Sequence, residues 1–164
     1  MKRPRTYTPR RWATDATELM RASPRLLAIY GRARVERALR ERLMVAVSRA
    51  NACGGCTRVH EAWALRAGVS ADELEQIGAG ELAGMPAEEQ AAIVYATALA
   101  ESGFGPIPDD AGALADAHLD RERQLDIEAI ARLMTFANLS VNSLRALSVG
   151  ISRTRVPAGV GPRR

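Results

Sequence analysis

The stretch LMVAV, Leu43–Val47, constrains the fold more than any other part of the chain. It lies in the run ARVERALRERLMVAVSRA, residues 33–50, where Val35, Leu39, Leu43, Met44 and Val47 recur at helical spacing. At its centre this helix is apolar on every side, and such a helix is stable only when neighbours cover it all round. No stretch alternates Val, Ile and Thr as a half-buried strand would. The cover must therefore be helical. The expected fold class is all-α, a compact bundle of about seven helices with one of them buried.

Punctuation sets the other elements. Thr14–Ala22 reads as a first helical stretch, and Ser23-Pro24 is expected to end it and restart a helix over residues 25–33. Asn51–Gly55 breaks the buried run, and a new helix follows through Ala67, stopped by a left-handed Gly68. Ser70 and Glu73 have the spacing of a capping box, with a stop at Gly78. Pro86 opens a helix that ends at Gly103, and Asp109 or Asp110 starts a short one reaching about Leu119. Asp120 is expected to cap a last long helix through residue 150, with a wide apolar stripe of Leu125, Ile127, Ile130, Leu133, Met134 and Ala137. Tyr30, Met44, Tyr95 and Met134 are expected in the core. Several helices are apolar on more than one face, which predicts an oligomer that buries surface between subunits.

The 164 residues fit one domain. Charge divides the chain: the two ends together carry +9, whereas residues 12–150 carry −5. The expected organisation is a flexible basic N-terminal tail over 1–12, a single all-helical domain over 13–150, and a basic C-terminal tail over 151–164. Basic ends can touch nucleic acid, but solvated termini are the expected reading and nucleic acid is not the expected partner. No apolar run approaches the roughly 20 residues that span a bilayer. The start, MKRPRTYTPRRW, lacks the apolar stretch of a secretory signal. A cytoplasmic protein without membrane contact is expected, and there a disulfide is transient and catalytic.

Both cysteines and one of the two histidines fall in CGGCTRVHE, Cys53–Glu61. On a helix, Cys53, Cys56 and His60 share an arc of about 60°. Near a helix start the dipole favours thiolate over thiol, and thiolate is the nucleophile. His60, one turn below Cys56, can take its proton. A Cys-x-x-Cys pair also closes into a disulfide, a two-electron couple that needs no cofactor. If the flanking helices form an antiparallel hairpin about residues 51–52, Glu41 lies beside His60, where a carboxylate fixes the imidazole tautomer. Two alternatives stand beside this: buried thiols with a satisfied histidine, or zinc held by the two Cys, His60 and Glu41. Structural zinc usually takes two separated ligand pairs, and the chain has one, so no metal is expected. Trp63 either lines the thiol pocket or packs in the core. His118 is expected to be exposed or near a helix C-terminus. Asn138 and Asn142 either bond across a subunit interface or face solvent. The loops GAGELAGMP and GFGP lack the spacing and lysine of a phosphate loop.

The pattern Glu41-x11-Cys53-x2-Cys56-x3-His60, within ERLMVAVSRANACGGCTRVHEAWALRAG, resembles the motif of the carboxymuconolactone decarboxylase superfamily in its alkyl hydroperoxidase D-like branch. FANLSVNSL, with Asn138 and Asn142, is similar to the family's closing segment, and the resemblance spans about residues 30–150. It implies an alkyl hydroperoxidase D-like fold assembled as an intertwined homo-oligomer, a trimer or hexamer. It also implies a thiol-dependent peroxidase or disulfide oxidoreductase. Cys56 would attack the hydroperoxide, Cys53 would donate a proton and resolve, and His60 and Glu41 would form the proton relay. The disulfide would be reduced by a dithiol protein, lipoyl-bearing or thioredoxin-like. Two departures stand out: Gly54 and Gly55 where some members carry a polar or aromatic residue, and Asn142-Ser143 where many have Asn-Arg. The decarboxylase that names the superfamily lacks the cysteine pair, so its lactone chemistry is not expected. The alternative is a non-redox member, or an interaction module with basic tails that contact nucleic acid or an acidic partner.

Overall fold

The computed structural model describes residues 3–154, with side chains described to Ser148. Seven helices follow one another: α1 Pro9–Gly31, α2 Arg37–Ala50, α3 Gly54–Arg66, α4 Ala71–Ala79, α5 Ala87–Ser102, α6 Asp109–His118 and α7 Arg121–Thr154. No strand occurs among the described residues, so the all-α bundle is as expected. None of their helices is long and apolar enough to cross a membrane.

The LMVAV helix is the centre of the molecule. α2 packs against α3, α4, α5 and α7, and Leu43, Val45 and Val47 are fully buried. α5 packs on it as well, and Ala91, Ala92, Ala96 and Ala100 of α5 have no exposed surface. Small side chains at such a contact bring helix axes closer together. α7 closes the core with Ile127, Ile130, Ala131, Met134 and Leu139. Met44, Tyr95 and Met134 are buried as expected, but Tyr30 is 44% exposed. Its ring lies under the Arg40 guanidinium, 4.6 Å away, which suits a ring at the surface.

The first helix departs most from the sequence reading. α1 begins at Pro9 rather than Thr14 and runs through Pro24 without ending. Thr8 is its N-cap, with Oγ1 accepting from the Arg11 N–H at 3.4 Å, and Pro9 fits the first turn. A proline inside a helix costs about 3 kcal/mol, but α1 docks along α7, and that packing overrides the local break. Residues 1–2 of the expected N-terminal tail lie outside the described residues, and the rest of it is likewise anchored. Arg5 donates to the carbonyls of Ala100 and Glu101, and the Tyr7 N–H donates to Ser143 Oγ at 2.8 Å. The rings of Tyr7 and Trp12 pack on Phe136 with centroids 5.9 and 5.7 Å apart. Aromatic packing and backbone acceptors therefore hold a segment whose charge suggested solvation. At the other end, residues 151–154 continue α7, and residues 155–164 of the expected basic tail lie outside the described residues.

Other boundaries move by a few residues. α2 starts at Arg37, because residues 32–36 form a connection with Ala33 left-handed at φ 51°. α3 ends in a Schellman turn, as Gly68 suggested. The Val69 N–H donates to Ala64 O at 3.0 Å and the Gly68 N–H to Leu65 O at 3.2 Å, with Gly68 at φ 91°. α4 passes through Gly78 and stops at left-handed Gly80, φ 78°. Asp120 caps α7, its Oδ1 accepting from the Arg123 N–H at 2.7 Å.

The capping box of α4 is present, with Ser70 Oγ accepting from the Glu73 N–H at 3.1 Å and Glu73 Oε2 from the Ser70 N–H at 2.8 Å. Arg42 of α2 also binds Glu73, at 2.7 Å. The backbone bond from Ser70 and, after it, Arg42 hold the Glu73 carboxyl below its ordinary range, against desolvation. A carboxyl depressed in the folded state adds stability above its unfolded pKa, and that stability is lost as pH falls through the folded value. Glu73→Gln is expected to cost about 0.5–1 kcal/mol at pH 7. Urea unfolding as a function of pH should show the gap between the two proteins closing below the ordinary carboxyl range.

Candidate active site

The turn between α2 and α3 places the cysteines. The Asn51 N–H donates to Val47 O at 3.0 Å and the Cys53 N–H to Ser48 O at 2.9 Å, which folds the chain back sharply. Between them Ala52 is left-handed at φ 53°, a conformation that costs an alanine about 1–2 kcal/mol. α7 holds this turn from behind. Asn142 Nδ2 donates to Asn51 O at 3.1 Å, and Asn51 Nδ2 donates to Thr135 Oγ1 at 3.1 Å and to Asn138 Oδ1 at 3.4 Å. Asn138 Nδ2 in turn donates to Ser48 Oγ at 3.3 Å. Asn138 and Asn142 are thus buried within one chain, instead of facing solvent or a second subunit. The Asn142 amide replaces the water that the Asn51 carbonyl of the bent backbone would otherwise need.

Cys53 is the N-cap of α3, and Cys56 lies in its first turn. The two are joined as a disulfide with Cα atoms 5.3 Å apart. They differ in access: Cys53 is 1% exposed, whereas Cys56 is only partly buried. Thr57 ties down the turn, donating from both N–H and Oγ1 to Cys53 O at 2.9 and 3.1 Å.

The antiparallel hairpin brings Glu41 of α2 level with His60 of α3, as the spacing suggested. His60 Nδ1 lies 2.8 Å from Glu41 Oε2, and the two residues are 9% and 7% exposed. A carboxylate can only accept, so Nδ1 carries the proton and Nε2 is left as the basic atom. Helix spacing puts His60 one turn from Cys56 on the same face of α3. Trp63 is not in the core. It is 43% exposed and meets the His60 ring edge-on, with centroids 5.0 Å apart. It therefore flanks the imidazole at the surface. His118 is exposed at the last residue of α6, as expected.

Two features were not visible in the sequence. One is the amide network from α7 just described. The other is Arg145, whose guanidinium lies against Gly55, between the cysteines: a Cβ on Gly55 would be 2.5 Å from its Nη2. Of the clefts, one of about 530 Å³ between α4, α5 and α6 shares no residue with the cysteine loop. Another of about 480 Å³ reaches Glu61 and its partner Arg49, 2.6 Å apart, on the flank of the α2–α3 hairpin. Among the described residues no three His, Cys, Asp or Glu side chains are grouped so as to hold a metal ion.

Residues 18–98 match the carboxymuconolactone decarboxylase family. That segment contains Glu41, Cys53, Cys56 and His60, but not the closing stretch with Asn138 and Asn142. No curated protein matches the chain.

Proposed function

From the support that the 18–98 match gives for the carboxymuconolactone decarboxylase superfamily, we propose that this chain is a thiol-dependent peroxidase and disulfide oxidoreductase of the alkyl hydroperoxidase D-like branch. The observation that carries the reading is the 2.8 Å contact between Glu41 and His60, buried one helical turn from a Cys-x-x-Cys pair.

In the dithiol state, His60 Nε2 takes the Cys56 proton while Glu41 stabilises the imidazolium that results. The Cys56 thiolate attacks one oxygen of the hydroperoxide. An S–O bond forms, the O–O bond breaks, and the leaving alkoxide takes a proton to become an alcohol. The Cys53 thiol then attacks the Cys56 sulfenic acid, forming the disulfide and releasing water. The pair gives up two electrons, and one hydroperoxide becomes one alcohol and one water. The exposure difference supports the roles: Cys56 is the sulfur a substrate can reach, and Cys53 is enclosed behind it. A dithiol protein, lipoyl-bearing or thioredoxin-like, would return the electrons by attack at the disulfide. Such dithiols belong to a reducing cytoplasm. Met20 and Leu27 on α1, and Leu144 and Leu147 on α7, are exposed apolar side chains that support a homo-oligomer, a trimer or hexamer by the family pattern.

Thiol titration tests the proposal directly. The reduced chain should show two thiols, and one equivalent of tert-butyl hydroperoxide should bring the count to zero. Two thiols still titrating after that treatment would sink the reading.

A further inference from the structure

We propose that Arg145 is a positioning residue for the cysteine pair, a guanidinium seated in the space left by Gly55 that favours the thiolate form of the reduced loop. This rests on the reading that the pair passes through a dithiol state.

Arg145 reaches the loop because of its place on α7. Asn138, Asn142 and Arg145 recur at i, i+4 and i+7, so they share one face of the helix. The first two are fixed to the α2–α3 turn by buried hydrogen bonds. Arg145, one turn further on, extends that contact to the start of α3. The fit is close: a Cβ built on Gly55 would lie 2.5 Å from Nη2, 3.1 Å from Cζ and 3.2 Å from Nη1. All three distances are shorter than ordinary carbon contact, so guanidinium and side chain exclude each other at this position. Gly55 is not needed for its backbone, which is helical with no positive φ. Its missing side chain is what the arginine uses.

No carboxylate among the described residues pairs with Arg145. Arg58 of α3 adds a second guanidinium, with its Nη1 3.9 Å from where a Cβ of Gly54 would lie. On α2, Arg49 is occupied by Glu61 at 2.6 Å, and Glu41 by His60 at 2.8 Å. Among the described residues, these contacts place Glu41 with His60, Arg49 with Glu61, and the two arginines Arg58 and Arg145 near the loop. A guanidinium stays charged at every pH at which thiols titrate. Set against Gly55, one of the two residues between the cysteines, it stabilises a thiolate more than a thiol.

The test uses the full reduced chain and four variants: Arg145→Gln, Arg145→Lys, Gly55→Ala, and Gly55→Ala with Arg145→Gln. The readout is the pH dependence of iodoacetamide alkylation, with melting curves to show that the fold is kept. Arg145→Gln should move the alkylation midpoint to higher pH and slow alkylation at pH 7 about fivefold. Arg145→Lys should restore most of that rate. Gly55→Ala adds a residue that helices prefer to glycine, so it should not lower the melting temperature. It should still shift the alkylation profile, because the methyl group displaces the guanidinium. Combined with Arg145→Gln it should add nothing further. A wild-type alkylation profile in Arg145→Gln would overturn the proposal, as would a Gly55→Ala shift that persists undiminished without the arginine. Alkylation needs no peroxide. If hydroperoxide failed to oxidise the wild-type thiols while Arg145→Gln still shifted the profile, the peroxidase reading would fall and this one would stand.

Discussion

Cys56→Ser is expected to reduce hydroperoxide consumption to the uncatalysed background, while Cys53→Ser stops after one turnover with a sulfenic acid on Cys56. The asymmetry follows from access and from sulfur chemistry. A serine hydroxyl at position 56 has no accessible anion at neutral pH, so the S–O bond-forming step has no nucleophile. In Cys53→Ser the partly exposed Cys56 thiolate remains, with His60 and Glu41 behind it. It can attack once, but no second thiol is present to displace water from the sulfenic acid. Peroxide consumption under multiple turnover, and intact mass for the gain of one oxygen, distinguish the two variants. Cys53 is almost fully enclosed, and serine is nearly isosteric with it, so both variants should melt close to the reduced wild type. Wild-type consumption by Cys56→Ser would remove the role assignment. A sulfenic acid found on Cys53 of that variant would reverse it.

The central helix and the four candidate site residues were legible for the same reason, which is that their geometry is local in sequence. Leu43–Val47 states its own burial, because no side of that helix can face water. Glu41, Cys53, Cys56 and His60 lie within two consecutive helices, so one hairpin assumption fixes their relative height. The supports were not legible, because their partners are remote. Asn51 bonds to Thr135 and Asn138 across 84 and 87 residues, and spacing on α7 shows only that Asn138 and Asn142 share a face. It does not show what that face meets. Gly55 shows the same limit: in the chain it looks like lost side-chain chemistry, whereas in the fold its place is taken by Arg145. Pro24 and the N-terminus fail differently. A local rule is correct in each, for proline inside helices and for basic termini, and tertiary packing on α7 outweighs it. The aromatic residues Tyr7 and Trp12 were the available signal against a tail, since each ring can pack on another ring, here Phe136, even with Trp12 still 48% exposed.

Glu41→Gln is expected to slow peroxide reduction about 100-fold while leaving the fold intact, and Glu41→Leu to lose stability as well. The two substitutions separate charge from hydrogen bonding. Glutamine can still accept the His60 Nδ1–H, so the imidazole keeps its tautomer and orientation. It offers no negative charge to the imidazolium that forms when Nε2 takes the Cys56 proton, and the cost falls on that step. Leucine removes the acceptor too. A ring N–H on a residue only 9% exposed is then left unpaired, which costs about 1–3 kcal/mol. The expected pattern is a near-normal melting temperature with a low rate for Glu41→Gln, and a depressed melting temperature with a low rate for Glu41→Leu. Groups that act as one relay are strongly non-additive. In a chain that already carries His60→Gln, adding Glu41→Gln should change the rate little, because no imidazolium remains to stabilise. Full losses multiplying in the double variant would mean that Glu41 works through something other than His60, and a full rate in Glu41→Gln alone would leave the buried pair a purely structural role.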